Sequence, residues 1–148
     1  RILLIGRDES FLSRAHEKGL EILSTEPETL SRFRGESFQR VIIAHRLECI
    51  EAPGALLSAA RGLLTERGKL SILMLCHGEK NSLSDRLLGI AGSRAKPHHA
   101  FTVEEVMWLL DEMGLFVDRN EVLHTTYPVQ LYLETSAEYD SNQTIEIA

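Results

Sequence analysis

Chemistry-bearing side chains in this sequence gather at the ends of short apolar runs. Gly6-Arg7-Asp8 follows Ile2-Leu3-Leu4-Ile5, and His45-Arg46 with Glu48 follows Val41-Ile42-Ile43-Ala44. An imidazole titrates near neutrality, so His45 is a candidate general base; a local hydrogen bond is its alternative role. Asp8 can cap a helix and offset its dipole. Glu26 can be a first-turn acid of a short helix, with Pro27 suited to the same turn. His77, His98 and His99 are spaced unlike any helix-borne metal pair, so no metal is expected. The two cysteines, Cys49 and Cys76, form no C-x-x-C pair, which argues against a zinc ribbon or a thioredoxin-like site and suits a reducing cytoplasm. Gly62 to Lys69 has the wrong glycine spacing for a phosphate loop, and Leu70 stands where Ser or Thr is needed.

The elements that must position these groups alternate. Ile2–Ile5 reads as a buried strand closed by Gly6. A helix follows with Phe11, Leu12 and Ala15 on one face, stopping at Lys18-Gly19. Glu21–Thr25 is a second strand and 29–34 a short helix. Val41–Ala44 is a third strand, apolar on both faces. Leu56, Leu57, Ala60, Leu63 and Leu64 recur with helical period, and Gly68 is expected to end that helix. Lys69–Leu75 is a fourth strand. A short helix is expected near Leu83–Ile90. Thr102 and Glu105 make a capping box before the face Val103, Val106, Leu110 and Met113, with Gly114 as the stop. Met107 and Trp108 are assigned to packing along that helix. Leu115–His124 and Val129–Thr135 form a hairpin around Thr126-Tyr127-Pro128. Such alternation predicts a doubly wound, mostly parallel α/β sheet with a C-terminal antiparallel hairpin. Residues 1–136 are expected to be one domain and 137–148 a polar tail.

Composition bounds the partners. The chain has 148 residues, 43% hydrophobic and 26% charged, enough for one core without staples. Its net charge of −6, with no basic run, opposes nucleic acid or anionic lipid as a partner. No apolar run reaches the roughly 18 residues of a membrane span. The first residue is Arg1 rather than Met, so residues preceding it, or a partner, could complete a site.

Four segments in order resemble class I S-adenosylmethionine-dependent methyltransferases. RILLIGRDESFLSRAHEKGLEILSTEPETL looks like the family's first strand, cofactor loop, helix and second strand. SFQRVIIAHRLECIEAPGALLSAARGLLTERGKLSIL resembles its fourth strand, following helix and fifth strand. PHHAFTVEEVMWLLDEMGLFVDR resembles the helix and strand that follow, and the last hairpin fits the closing strands. The resemblance covers residues 1–136 and implies a Rossmann-like methyltransferase fold. Only about fifteen residues separate Thr25 from Arg40, too few for a βα unit of roughly 30 residues, so the family's third strand is expected to be missing.

That resemblance implies S-adenosylmethionine as cofactor, with Gly6, Arg7, Asp8, Glu26 and Leu47 around it. Glu26 matches the acid that accepts both ribose hydroxyls. His45 would be the catalytic base, and His98 and His99 would touch a small-molecule acceptor. The departures are equally specific. Leu4 stands where the family has an acid, and Asp8 and Ser10 replace loop glycines that let backbone approach the cofactor. Asp8 also puts negative charge where the methionine carboxylate should lie. Two functions follow: a small-molecule methyltransferase, or a binding or scaffold protein that has lost the cofactor site, dimerising through an exposed sheet edge.

Overall fold

The computed structural model describes residues 1–76, 101–124 and 129–137. The elements are β1 (Ile2–Ile5), α1 (Glu9–Glu17), β2 (Ile22–Thr25), a 3-10 helix (Pro27–Phe33), β3 (Phe38–Ala44), a short 3-10 turn (Leu47–Cys49), α2 (Pro53–Arg61), β4 (Leu64–Cys76), α3 (Val103–Glu112), β5 (Phe116–His124) and β6 (Val129–Ser136). They build one six-stranded sheet in the order β2-β1-β3-β4-β6-β5. The pairs of β1 with β2 and β3, and of β3 with β4, are parallel; β6 runs antiparallel to both β4 and β5. This is the doubly wound α/β sheet with a closing antiparallel pair that the pattern predicts.

Local chemistry sets the boundaries. Asp8 caps α1, its Oδ1 accepting from the Phe11 amide at 3.0 Å, and Gly19 leaves the helix with φ +73°. Thr102 caps α3: its Oγ1 accepts from the Glu105 amide at 3.2 Å and donates to Glu105 Oε1 at 3.1 Å. Gly114, at φ +71°, ends that element. Between β2 and β3 there is only the 3-10 helix, so the chain passes directly to the far side of β1 and β2 is an edge. The expected loss of a third strand is thereby met.

The helix expected to run through Leu64 to a stop at Gly68 is corrected. It ends at Arg61 with Gly62 as cap, and β4 starts at Leu64. Phe38 pairs with Leu64 but Arg40 pairs with Lys69, so residues 65–68 form a bulge. Gly68 sits inside it: a Cβ there would lie 3.0 Å from both Phe38 O and Leu64 Cβ. Leu63 and Leu64 are apolar because the sheet end needs them, a demand that also fits helical spacing.

The main core lies on one sheet face, where Leu3, Ile5, Val41, Ile43, Leu70 and Ile72 meet Leu30, Leu56, Leu57, Val106 and Leu110 from the helices. Each such fully buried aliphatic contributes roughly 1.5–3 kcal/mol. The other face has α1 alone among the described helices, its Ala15 clustering with Leu4 and Ile22 of the sheet. Beyond α1 that face carries a polar ladder: Arg40 Nη1 donates to Ser71 Oγ at 2.5 Å, and Tyr132 OH donates to the same oxygen at 3.3 Å. Met107 packs against the main core, whereas Trp108 is 65% exposed, so the packing role expected of it is not what the fold assigns. The expected helix at 83–90, the 126–128 turn and the tail beyond 137 lie outside the described residues.

Candidate functional site

In an open α/β sheet, ligands bind at the carboxyl ends of strands where the strand order reverses. Here β1 leads outward to β2, and β2 leads back across to β3, so the reversal lies between β1 and β3. Three segments converge there: Gly6 after β1, Glu26 after β2, and His45-Arg46 after β3.

Gly6 has φ +132°, and a Cβ at this position would stand 2.7 Å from Ala44 O. Its amide donates to Thr25 O at 2.9 Å. The close approach of β1 to β3 therefore requires glycine whatever ligand follows. Arg7 is exposed and turns to Glu9, 3.0 Å away. Asp8 faces its own helix as the cap already described.

His45 is the one non-glycine residue with positive φ, +53°, among the described residues. Its amide is tied to Leu73 O at 2.8 Å, and its Nε2 lies 3.4 Å from Gln130 Nε2 on β6. In this orientation the amide donates and the ring nitrogen accepts, so a general base working through Nε2 would first have to release Gln130. The left-handed turn at His45 reverses the chain and sends Arg46 back toward β2.

There Arg46 meets Glu26 in a two-pronged pair. Nε donates to Oε2 at 2.7 Å and Nη2 to Oε1 at 3.0 Å, while Nη1 donates to His45 O at 3.1 Å. The hydrogen bond from Arg46 holds the Glu26 carboxyl below its ordinary range; partial burial opposes this, and the charges of Arg46 and Arg7 add to it. Arg46 is raised correspondingly, chiefly by the same bond. Glu26 has no cap bond to its own 3-10 helix. Its side chain remains 41% exposed, so this is a partly solvated pair.

Leu47, expected beside the cofactor, is fully buried in the main core. Glu48 is 3% exposed: Oε2 accepts from the Leu75 amide, and Oε1 has no partner among the described residues. His77, His98 and His99 lie outside the described residues. Among the described residues no three His, Cys, Asp or Glu side chains gather as metal ligands. Beside Glu26, a groove of about 470 Å³ opens between the first 3-10 helix and α2, lined by Pro27, Leu30, Ile50, Leu56 and Leu63.

The crevice does not fit S-adenosylmethionine in the family's usual manner. Both oxygens of Glu26, the carboxylate that the resemblance assigns to the ribose, already receive the Arg46 guanidinium. Leu4 is buried and offers no acid, and Asp8 brings negative charge to the loop. Sequence reasoning placed Glu26 and Arg46 separately at strand ends but missed their pairing. The available signal was opposite charge at the carboxyl ends of the two strands flanking β1.

No family model matches the chain, and no curated protein does. Solved structures do. The mitomycin 7-O-methyltransferase MmcR is 16% identical, with a TM-score of 0.68 over 92% of this chain and 48% of its own. A SAM-dependent methyltransferase from Thermotoga maritima is 17% identical, with a TM-score of 0.60 over 93% of this chain and 82% of its own. The Burkholderia thailandensis 1,6-didemethyltoxoflavin-N1-methyltransferase, solved with bound 1,6-didemethyltoxoflavin and S-adenosylhomocysteine, is 14% identical, with a TM-score of 0.67 over 90% of this chain and 69% of its own. This chain thus spans about half of MmcR. In none of the described helices is there a stretch long and apolar enough to cross a membrane. At this level of identity what is shared is architecture, and the chain has the Rossmann-like fold of the class I methyltransferases.

Proposed function

We propose that this chain is a methyltransferase-fold binding protein that does not hold S-adenosylmethionine in the family's usual way. One observation carries the reading: the carboxylate that should accept the ribose, Glu26, is held at 2.7 and 3.0 Å by Arg46. Asp8 and Leu4 point the same way, since a carboxylate at the loop repels the methionine carboxylate and a leucine cannot replace the missing acid. Calorimetric titration tests it. No heat is expected from S-adenosylmethionine or S-adenosylhomocysteine up to about 1 mM, weaker than about −4 kcal/mol of binding. Micromolar binding that weakens on Glu26→Ala would refute it.

A second reading is favoured by the convergence of Gly6, Glu26 and His45 in one crevice, and by the small-molecule methyltransferases that share the fold. In it, S-adenosylmethionine displaces Arg46, and Gly6, Arg7, Asp8, Glu26 and the Leu47 backbone border the cofactor. His45 would then take a proton from a small-molecule acceptor reached by His98 or His99. The chain's work would be alignment of nucleophile, methyl carbon and sulfur. Radiolabel transfer to candidate acceptors, abolished by Glu26→Ala, tests that reading. In either case we place the protein in the cytoplasm on its free cysteines, with no nucleic-acid or membrane partner. We assign self-association to the outer edge of β2, to be checked by sedimentation.

A further inference from the structure

We propose that Arg46 is a built-in occupant of a nucleoside site, and that removing this one side chain opens the crevice to a ligand with a vicinal ribose diol. The proposal rests on the binding-protein reading above and deepens it by naming what the crevice would take.

Glu26 stands twenty residues after Gly6, at the end of the strand next to the one Gly6 closes. That is the placement from which an acid reaches a ribose hydroxyl in nucleotide-binding α/β sheets. A carboxylate with two free oxygens accepts a vicinal diol as two parallel hydrogen bonds. A guanidinium presents the same pair of parallel donors. Arg46 delivers its fork to both oxygens of Glu26, so it copies the donor pattern of the diol from within the chain.

The delivery is set by backbone. His45 adopts φ +53°, and Arg46 Nη1 is anchored on His45 O at 3.1 Å. The fork is therefore aimed at β2 by the turn that ends β3. The neighbouring apolar groove begins at Pro27, the residue after Glu26, and its volume of about 470 Å³ is within the range of small-molecule sites.

Adenosine and 2′-deoxyadenosine, titrated by calorimetry into the full chain and into Arg46→Ala, test the idea. Wild-type protein is expected to give no heat with either. Arg46→Ala is expected to bind adenosine, with 2′-deoxyadenosine at least about tenfold weaker because Glu26 then receives one hydroxyl instead of two. A folded Arg46→Ala protein that ignores adenosine overturns the proposal and leaves the binding-protein reading standing. Equal binding of the two nucleosides by Arg46→Ala also overturns it, since Glu26 would not be reading the diol. Wild-type binding as tight as that of the variant overturns the Arg46 proposal and removes the support that the ion pair gives to the binding-protein reading. If Arg46→Ala loses its cooperative melt, Arg46→Gln, which keeps the stem without the fork, is read by the same criteria.

Discussion

Replacing Gly6 with alanine gives the sharpest test of how the crevice is built. Two costs are separable. The first is conformational: φ +132° lies in a region that L side chains rarely adopt, worth roughly 1–3 kcal/mol. The second is steric: the new Cβ would stand 2.7 Å from Ala44 O, a backbone atom of β3, one of the two central strands of the parallel half-sheet, so β1 and β3 must move apart. Overpacking of that kind costs about 1–3 kcal/mol. Together they predict a loss of about 2–6 kcal/mol, or roughly 4–24 °C in melting temperature at 2–4 °C per kcal/mol for a domain of this size. Gly19 supplies the control. It also has positive φ, +73°, yet nothing lies within 4 Å of its would-be Cβ. Gly19→Ala therefore bears a conformational cost alone, about 1 kcal/mol. Urea unfolding of both variants, followed by circular dichroism, measures the difference directly. If Gly6→Ala costs no more than Gly19→Ala, the close approach of β1 to β3 does not explain the glycine.

Cys76 is fully buried, and desolvation, then the charge of Glu48, pushes its thiol up to about 12 from an ordinary value of 9.0. A raised folded value means its contribution is intact below pH 9 and is lost as pH climbs toward 12. The loss is at most ~4 kcal/mol at 1.36 kcal/mol per unit, and Cys76→Ala should flatten that alkaline limb in pH-dependent melts. Glu26 has the opposite sign: Arg46 depresses it, so the pair stabilises above about pH 4.5 and fails as pH falls through the lower folded value. Exposure limits that effect to about 1 kcal/mol or less, and Arg46→Ala should remove the acid-side slope. Thr102→Ala should cost about 1 kcal/mol through loss of the α3 cap, whereas Trp108→Ala should stay within about 0.5 kcal/mol, both read as urea midpoints. Reversal of that order would mean that Trp108 packs against something the exposed helix face does not display.

Much of the fold was legible because local signals agreed with tertiary needs. The apolar runs before Gly6 and His45 read as buried strands, and the Asp8 and Thr102 caps mark helix starts that the structure keeps. Even the missing strand was readable, because the Thr25–Arg40 interval leaves no room for it. The α2–β4 boundary was not: Leu63 and Leu64 satisfy a helical stripe and a sheet end equally, and the bulge at residues 65–68 depends on contact with Phe38, distant in sequence. The Arg46–Glu26 pair was hidden for a related reason. Its geometry follows from a left-handed turn at His45, and a non-glycine residue gives no composition signal for that conformation.

The strand order has a consequence for how the chain can fold as it is made. The N-terminal four strands pair within the first 76 residues, but the remaining edge of β4 waits for β6, where Lys69 meets Ser136. A ribosome must therefore release most of the polypeptide before that edge is sealed, and pairing across so long an interval is intrinsically slow. Until then the nascent half-sheet displays Leu70, Ile72 and Met74 on an open rim, the kind of surface that invites chaperone capture or premature association.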